Sequence, residues 1–314
     1  MTDVVRIASR SSRLAMAQSE WVRDLLAAAW PDRSFEIVNI DTKGDRVLDR
    51  PLPEIGGKGL FTEELEAALL AGYVDVAVHS LKDLPTDLAV GLKVGAVPPR
   101  EDSRDAWVAP EGGPVDLASA APGAVIGTSS ERRRALLALA RPDLEVRSVR
   151  GNVETRLRKA DEGQYDALVM AAAGLIRLGL SHRITSFFDP PDWLSAPGQG
   201  AVAVESRAGD AATDELLRSI DDRIARAETD AERTLLHTLQ GGCQVPVGAR
   251  AEVDGQDILL YALVARPDGT EVVRGEGRGQ ADQAAQLGRT VAEDLLGRGG
   301  EAIVATFREM ENKG

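Results

Sequence analysis

Short apolar runs alternate with amphipathic stretches along the first hundred residues. The apolar runs have the length and composition of strands: VVRIAS (4–9), FEIVNI (35–40), VDVAVHS (74–80) and LKVGAVP (92–98). After the first run, apolar residues recur at helical spacing from Leu14 onward and stop before Pro31, and FTEELEAALLAG (61–72) has a second helical pattern. This alternation predicts a largely parallel sheet with helices on both faces.

A second series of the same kind follows a break at VPPRED (97–102). Its strand-like runs are AVIGTSS, LEVRSVRG and YDALVMAAAG, and the helical patterns ERRRALLALA and NVETRLRKADEG lie between them. A second break, PPDWLSAPGQG (190–200), precedes the apolar run AVAVES (201–206). Two arrangements remain open: two consecutive domains, or a middle domain inserted into the first, with 201–206 returning to the first sheet.

The pattern changes again from about residue 221. A helical stretch, RIARAETDAERTLLHTL, leads into the loop LQGGCQVPVG (239–248), which holds the only cysteine of the sequence, Cys243. Three strand-like runs follow, and then a helical pattern near ADQAAQLGRTVAEDLL. We therefore expect a small α+β domain at the C-terminal end.

The composition is that of a globular protein, with 43% hydrophobic and 28% charged residues. No apolar run approaches the roughly 20 residues that a membrane helix needs, and the N-terminus lacks the pattern of a secretory signal. One cysteine cannot form an internal disulfide. These features predict a cytoplasmic protein that does not associate with membranes.

The net charge of −13 argues against a general nucleic-acid binder, whose surface should be basic. Positive charge is nevertheless concentrated locally. Residues 127–158 contain eight arginines and four acidic residues, whereas residues 209–232 contain eight acidic residues and three arginines. An acidic protein with a local basic surface for an anionic ligand is consistent with this distribution.

Four polar residues end or follow the strand at 74–80: His79, Ser80, Lys82 and Asp83. In open α/β sheets, ligands bind beyond the carboxyl ends of strands. An aspartate at such a position can act as a general acid or base, or stabilise a developing cation. The alternative is that Asp83 caps a turn or pairs with Lys82.

Basic and hydroxyl residues recur at other strand ends and glycine turns, in RIASRSSR, GGKGLF, GTSSERRR, SVRGNVETR and AAGLIRLG. Helix N-termini and arginine side chains both bind anions. Any one of these arginines, taken alone, is compatible with a solvated surface charge. Their shared position at strand ends predicts a ligand with several carboxylates or phosphates.

Several familiar motifs are missing from the sequence. GGKGLF lacks the spacing and the hydroxyl residue of a phosphate-binding loop, and no G-x-G-x-x-G follows the first strand. The three histidines, His79, His182 and His237, do not have zinc-ligand spacing, so we expect no metal site. No nucleophile elbow of a hydrolase is present.

The lone thiol of Cys243 has three interpretations. It can be a small buried hydrophobe, a catalytic thiolate or a covalent attachment point. The sequence places no partner base beside it. The flanking glycines would give a cofactor close access to the backbone, and a single thiol makes attachment unambiguous.

Seven motifs together resemble the hydroxymethylbilane synthase (porphobilinogen deaminase) family: HSLKDLP, GGKGLF, GTSSERRR, RGNVETRL, AAGLIRLG, APGQGAVAVE and GGCQVPVG. They occur in the family's order over nearly the whole chain. The resemblance implies an α/β fold with two doubly wound domains, like those of periplasmic binding proteins, joined by hinges, and a smaller C-terminal α+β domain. It places domain 1 at 1–99 and 200–220, domain 2 at 100–199 and domain 3 at 221–314, so that 201–206 rejoins domain 1.

The resemblance also implies an enzyme, a transferase of porphyrin, heme and tetrapyrrole biosynthesis. In this family a dipyrromethane cofactor is bound to one cysteine by a thioether, and the matching residue is Cys243. Four porphobilinogen molecules are added head to tail with release of ammonia, and hydrolysis then frees the linear tetrapyrrole hydroxymethylbilane. We expect porphobilinogen as the substrate, no nucleic-acid or membrane partner, and a cytoplasmic monomer.

The family's functional residues match positions of this sequence. The catalytic aspartate matches Asp83. The cofactor-binding positions match Lys82, Ser129, Ser130, Arg132, Arg133, Arg150 and Gly151, and the substrate-binding positions match Arg10, Ser12, Lys58, Arg156, Arg177 and Gln199, the last at a hinge. Two residues depart from the family's pattern: Glu54 stands where a lysine is common, and Glu131 where an apolar residue is common. Because Glu54 makes the edge of the cleft less positive, we expect loop 45–60 to contribute less to substrate binding.

The chemistry of the implied reaction agrees with the charges of the sequence. Each pyrrole carries two carboxylates, so the growing product accumulates negative charge that an Arg and Lys cluster can neutralise. Loss of ammonia leaves an azafulvene-type cation, which a fixed carboxylate such as Asp83 can stabilise. The breaks near 97–102 and 195–200 then serve as domain pivots.

Two other functions are compatible with parts of the pattern. A bilobal binding protein for an anionic metabolite would have two α/β lobes and a hinge, but it gives the third domain no use, and the missing signal peptide counts against a periplasmic form. A phosphate-handling transferase would use the arginine cluster, but the phosphate-binding loop and metal-ligand spacing are missing.

Overall fold

The computed structural model describes residues 4–46, 62–239 and 245–311. The chain divides into two compact units: unit 1 is Met1–Glu101 with Gly200–Arg226, and unit 2 is Asp102–Gln199 with Ala227–Gly314. Each unit has hydrophobic cores of its own. Within the described ranges, no helix is both long enough and apolar enough to cross a membrane.

The regular elements are numbered along the described part of the chain. The strands are β1 (Val4–Ser9), β2 (Ser34–Asn39), β3 (Val76–Ser80), β4 (Leu92–Ala96), β5 (Asp105–Val108), β6 (Val125–Gly127), β7 (Glu145–Arg147), β8 (Ala167–Ala171), β9 (Ser186–Phe188), β10 (Val202–Arg207), β11 (Val247–Asp254), β12 (Asp257–Ala265) and β13 (Val272–Gln280). The helices are α1 (Arg13–Ala29), α2 (Lys43–Arg46), α3 (Glu63–Leu70), α4 (Glu131–Ala140), α5 (Val153–Asp161), α6 (Ala172–Arg177), α7 (Ala211–Arg218), α8 (Arg223–Thr238), α9 (Ala284–Leu295) and α10 (Glu301–Glu311). Short 3-10 turns lie at Leu81–Asp83, Ser181–Arg183 and Ala281–Gln283, and a kinked turn, Leu296–Gly300, joins α9 to α10.

Unit 1 is built on a five-stranded sheet in the order β2-β1-β3-β10-β4. β1 pairs in parallel with both β2 and β3, whereas β10 runs antiparallel to both β3 and β4. The predicted largely parallel sheet is therefore confirmed, with β10 as its strand of opposite direction. The run at 201–206 returns to the first sheet, which decides between the two arrangements that the sequence pattern leaves open.

Helix α1 shows how the sequence sets the local structure of unit 1. The Ser12 hydroxyl accepts a hydrogen bond from the backbone N–H of Ala15 (3.3 Å), which caps the start of the helix. The apolar stripe buries Val22 and Leu26 completely in the core beneath β1 and β3. Pro31 lies two residues beyond the helix, where its ring prevents the helix from continuing.

The second sheet, in unit 2, repeats the pattern of the first. Its order is β7-β6-β8-β5-β9. β6 is parallel to both neighbours, and β5, in the fourth position, is antiparallel to β8 and β9. The sequence pattern did not predict β5 and β9, which have only four and three residues.

The third sheet, also in unit 2, is an antiparallel meander in the order β11-β12-β13. Helices α8, α9 and α10 supply residues to its main hydrophobic core. Leu263 and Ala265 of β12 lie in the same buried cluster as Trp107 of β5, which connects this sheet to the second one. The predicted α/β fold class with a smaller C-terminal α+β part is confirmed.

A buried carboxylate on α8 also links the segment before Gly200 to β11 within unit 2. Glu232 of α8 is fully buried and accepts hydrogen bonds from the backbone N–H groups of Gly198 (2.7 Å) and Ala251 (2.8 Å). Both backbone donors would otherwise be buried without a partner. Glu232 therefore fixes the segment before Gly200 against the third sheet.

Candidate functional site

The turn that carries Asp83 is fixed by the two leucines on either side of it. Leu81 and Leu84 are almost completely buried in a small core with Ala203. The backbone N–H of Leu81 also donates to the carbonyl of Ala201 (3.0 Å). Because both leucines point inward, Lys82 is left half-buried and Asp83 exposed at the carboxyl end of β3.

Asp83 lines a pocket of about 80 Å³ in unit 1. The predicted residues Arg10 and Ser12 line the same pocket, since β1 and β3 are parallel neighbours whose carboxyl ends meet at one edge of the sheet. Among the described residues, the Asp83 carboxylate has no hydrogen-bond partner, so it is not engaged as a turn cap or a pair with Lys82 there. The full lining is Arg10, Ser12, Leu14, Ala15, Gln18, Thr62, Val78, His79, Ser80 and Asp83.

The wall of this pocket contains further polar groups, of which Gln18 and Thr62 were not selected from the sequence. The side chains of Gln18 and Ser80 hydrogen bond each other at 3.0 Å. Thr62 is 2% exposed and lines the pocket with its side chain close to Glu66.

His79 lines the pocket and contacts a buried glutamate, Glu205. Its Nε2 atom lies 3.1 Å from Oε2 of Glu205, and the two side chains are 4% and 0% exposed. The other carboxylate oxygen of Glu205 is buried without a hydrogen-bond partner among the described residues. Glu66 of α3 lies near this pair, and its burial together with the Glu205 charge raises the pKa of Glu66 above its usual value.

A second group of predicted residues lies in unit 2, at the carboxyl ends of β6, β7 and β8. These strands are parallel neighbours, so their following loops share one edge of the sheet. Ser129 Oγ hydrogen bonds Ser148 Oγ (2.8 Å) and donates to the carbonyl of Val149 (2.7 Å), which joins the first two loops. Ser130 caps α4 by accepting from the backbone N–H of Arg133 (3.4 Å).

The loop after β7 is closed tightly around Gly151. This residue has φ of +112°, and a Cβ atom there would lie 2.6 Å from the Thr155 methyl group, so only glycine fits. The carbonyl of Gly151 accepts from Arg156 Nε (2.8 Å), and the carbonyl of Arg150 accepts from Lys159 Nζ (3.1 Å). Arg150 and Arg156 are half-buried.

Arg132 and Arg133 lie on the buried side of α4, where they meet a carboxylate that sequence analysis missed. Asp105 accepts from Arg132 Nη1 and Arg133 Nη2, both at 2.7 Å. Burial alone would raise the pKa of Asp105, but the two guanidinium charges outweigh it and hold that pKa well below its usual range. An aspartate at the start of a four-residue strand gives no sequence signal for such a role.

Two further donors complete the hydrogen bonding of Asp105. Trp193 Nε1 donates at 2.8 Å and Gln199 Nε2 at 2.9 Å. Gln199, predicted as a substrate-binding hinge residue, also donates to the backbone carbonyl of Ser103 (2.7 Å). The side chain of Gln199 is thus committed to the buried cluster around Asp105.

The remaining predicted residues are placed as follows. Arg177 ends α6, which follows β8 directly, and it is half-buried. Lys58 and Cys243 lie outside the described residues, as does Glu54. The structure therefore brings Arg10, Ser12 and Asp83 together in unit 1, and it brings the Ser129, Ser130, Arg132 and Arg133 segment beside Arg150 and Gly151 in unit 2.

The described residues of unit 2 fit a group that carries several carboxylates, such as the dipyrromethane implied by the sequence motifs. Arg132 and Arg133 each have a buried Nε atom without a hydrogen-bond partner among the described residues. Guanidinium groups are donors that bind carboxylates.

Two regions of the chain match models of known protein families. A sequence model described as "Porphobilinogen deaminase, dipyromethane cofactor binding domain" matches residues 5–215. A second, described as "Porphobilinogen deaminase, C-terminal domain", matches residues 227–297. The chain belongs to the porphobilinogen deaminase family. The predicted family and its enzyme class, a transferase of tetrapyrrole synthesis, are thereby confirmed.

Individual porphobilinogen deaminases match over almost their whole length. The protein of that name from Bordetella parapertussis is 49% identical over 299 residues, which cover 95% of each chain. That from Syntrophobacter fumaroxidans is 47% identical over 306 residues, or 97% of this chain and 98% of the relative. Among solved structures, the methionine-binding protein MetQ aligns with 69% of this chain and 89% of its own at 12% identity, with a TM-score of 0.44.

Proposed function

We propose that this member of the porphobilinogen deaminase family condenses four porphobilinogen molecules head to tail on a dipyrromethane cofactor. Ammonia is released at each addition, and hydrolysis then frees hydroxymethylbilane. The observation that carries the proposal is the pocket of unit 1, where the Asp83 carboxylate, without a partner among the described residues, lies with Arg10 and Ser12. The family's name and the arginine-rich strand edge of unit 2 support it.

Asp83 is proposed as the catalytic residue. An ionised carboxylate is an acceptor on both oxygens, so it can lie beside the cation that forms when ammonia leaves porphobilinogen. Arg10 and Ser12 are proposed to hold the carboxylates of that substrate at the same pocket. Lys58, Arg156, Arg177 and Gln199 are proposed as further substrate-binding residues.

The cofactor is proposed to be bound to Cys243 through a thioether. When bound, it supplies the covalent anchor on which the product grows, so that intermediates are not lost. Its carboxylates are assigned to the unit 2 edge and to Lys82; the full set is Lys82, Ser129, Ser130, Arg132, Arg133, Arg150 and Gly151. The single thiol of the sequence and the unsatisfied Nε donors of Arg132 and Arg133 support this assignment.

The organisation of the chain is proposed to follow the same function. Residues 1–99 with 200–220 form the catalytic domain, 100–199 the inserted arginine-rich domain, and 221–314 the domain that carries the cysteine loop. Porphobilinogen is the proposed partner, without nucleic acid or membrane, and the protein is proposed to act as a cytoplasmic monomer. The acidic net charge of −13 supports the exclusion of nucleic acid.

A turnover assay tests the reaction. Purified protein is incubated with porphobilinogen, and ammonia and the linear tetrapyrrole are both measured. We expect about four ammonia molecules for each tetrapyrrole, since one leaves at every addition. A bilobal binding protein would instead bind porphobilinogen without releasing ammonia, and that result would refute the proposal.

A further inference from the structure

His79 and Glu205 are diagonal neighbours on adjacent antiparallel strands. His79 of β3 is paired with Ala203 of β10, and Glu205 lies two residues further along β10, so both side chains are on the same face of the sheet. Their contact of 3.1 Å joins Nε2 to a carboxylate oxygen that is fully buried. Neither residue was assigned a role by the sequence motifs.

The contact fixes which ring nitrogen carries the proton. A carboxylate accepts hydrogen bonds, so His79 Nε2 must be the donor, and in the neutral ring Nδ1 then has a free lone pair. His79 lines the pocket of Asp83, and Nδ1 has no hydrogen-bond partner among the described residues. A carboxylate that orients an imidazole in this way is the usual arrangement of a general base.

Among the described residues, four charged or titratable groups lie near the imidazole or line the same pocket. Glu205 faces it from β10 and Glu66 from α3, while Arg10 and Asp83 line the same pocket from the ends of β1 and β3. Glu205 compensates a positive charge on the ring.

We propose that His79, oriented by Glu205, is the second proton-handling residue of the pocket. The inference rests on the proposed function. At each addition the C–N bond of porphobilinogen breaks and ammonia leaves with its electron pair. A new C–C bond then forms between the resulting methylene carbon and an α-carbon of a pyrrole. The proton lost from that α-carbon passes to His79 Nδ1, and from the imidazolium to the released ammonia, which leaves as ammonium.

If His79 is the base, Asp83 does not have to both accept the proton and stabilise the cation. A carboxylate that takes the α-proton becomes neutral and no longer stabilises a neighbouring cation. With a separate base, Asp83 stays ionised through the addition. His79 supplies that base from β3, four residues before Asp83 in the turn that follows the strand.

Kinetics of His79→Gln test the proposal, with His182→Gln as control. Glutamine is close to histidine in size, and its amide N–H can still donate a hydrogen bond to Glu205. It cannot take up a proton. We expect kcat to fall about 100-fold with KM nearly unchanged, because positioned proton transfer contributes roughly 10²–10⁴-fold. The acid limb of the kcat–pH profile should disappear as well. The exposed His182 variant should behave as wild type. Unchanged kcat and pH profile in His79→Gln would overturn the proposal.

Nitrogen NMR provides a readout that does not depend on turnover. The chain has three histidines, so 15N-histidine labelling of the full protein gives few signals to assign. We expect neutral His79 to be protonated at Nε2 in wild type and to lose this preference in Glu205→Leu, which has no hydrogen-bond acceptor. A proton on Nδ1 in wild type would overturn the proposal even if His79→Gln failed to fold. If wild type releases no ammonia from porphobilinogen, the proposed function fails. The NMR result still decides which ring nitrogen of His79 carries the proton beside Glu205.

Discussion

The carboxylate of Asp105 lies 2.7 Å from the guanidinium group of Arg133, and the two side chains are 0% and 8% exposed. The same carboxylate also accepts from Arg132, so one negative charge contacts two positive charges away from solvent. One positive charge is left over. We therefore expect the cluster to be stable in the absence of ligand and still attractive to a ligand carboxylate.

Asp105→Asn should destabilise unit 2 strongly. The variant leaves two buried guanidinium groups without their counter-charge, and breaking a buried pair of this kind costs about 3–5 kcal/mol. Urea unfolding followed by tryptophan fluorescence measures the effect, since Trp193 donates to the same carboxylate. Asp143→Asn is the matched control, because its ion pair with Arg141 is at the surface and is worth at most about 1 kcal/mol.

The contribution of Asp105 should also have a defined pH dependence. Its pKa is lowered in the folded protein, so the folded state binds the proton less readily than the unfolded chain. The stabilisation is then fully present above the usual value of 3.8 and is lost only as the pH falls through the lower folded value. A wild-type advantage over Asp105→Asn that already declined between pH 7 and pH 5 would contradict this.

Asp83→Asn should stop elongation and leave the fold intact. The carboxylate is exposed and has no hydrogen-bond partner among the described residues, so its loss removes no structural contact there. Asparagine has no charge to stabilise the cation, and we expect kcat to fall at least about 100-fold. Ammonia release measures the change, with Asp87→Asn, exposed in the following loop, as control. Turnover within twofold of wild type would refute the catalytic role of Asp83.

Glu66→Gln should stabilise unit 1 at neutral pH. The pKa of Glu66 is raised by its burial and by the Glu205 charge, so the folded state binds the proton more tightly than the unfolded chain. Stability is therefore lost as pH rises through the raised pKa, and glutamine removes this loss. We expect a Tm about 1–2 °C higher at pH 7.5 and no gain at pH 4, by differential scanning calorimetry.

Glu63→Gln is the matched control for Glu66, since Glu63 lies on the exposed side of the same helix. It removes a surface ion pair with Lys43 and should leave Tm unchanged or slightly lower. A gain for Glu66→Gln that was equal at both pH values would show that its origin is not the titration of Glu66.

The sequence predicts the parts of this molecule that depend on local pattern. Ser12, Asp83 and Ser129 follow apolar runs, and the parallel pairing of those runs brings their ends to common edges. Motif matching adds residues such as Arg177, whose role no periodicity indicates. The strands and helices are predicted correctly because their signals lie within a few neighbouring residues, whereas the roles of these site residues stay predictions.

Long-range pairing is the part that the sequence could not provide. Asp105 meets Arg132 and Arg133 across 27 and 28 residues, and His79 meets Glu205 across 126. No local pattern distinguishes a buried glutamate in the strand VAVES from a surface one. The return of β10 to the first sheet likewise depends on tertiary packing, which the sequence pattern alone left undecided.

The mass of the intact protein, purified from cells, tests the thioether at Cys243. We predict a mass higher than that of the bare chain by about one dipyrromethane, located on Cys243 by peptide mapping. Cys243→Ser should lack the adduct and form no tetrapyrrole. A bare thiol in protein that turns over porphobilinogen at full rate, or undiminished tetrapyrrole formation by Cys243→Ser, would contradict the proposed function.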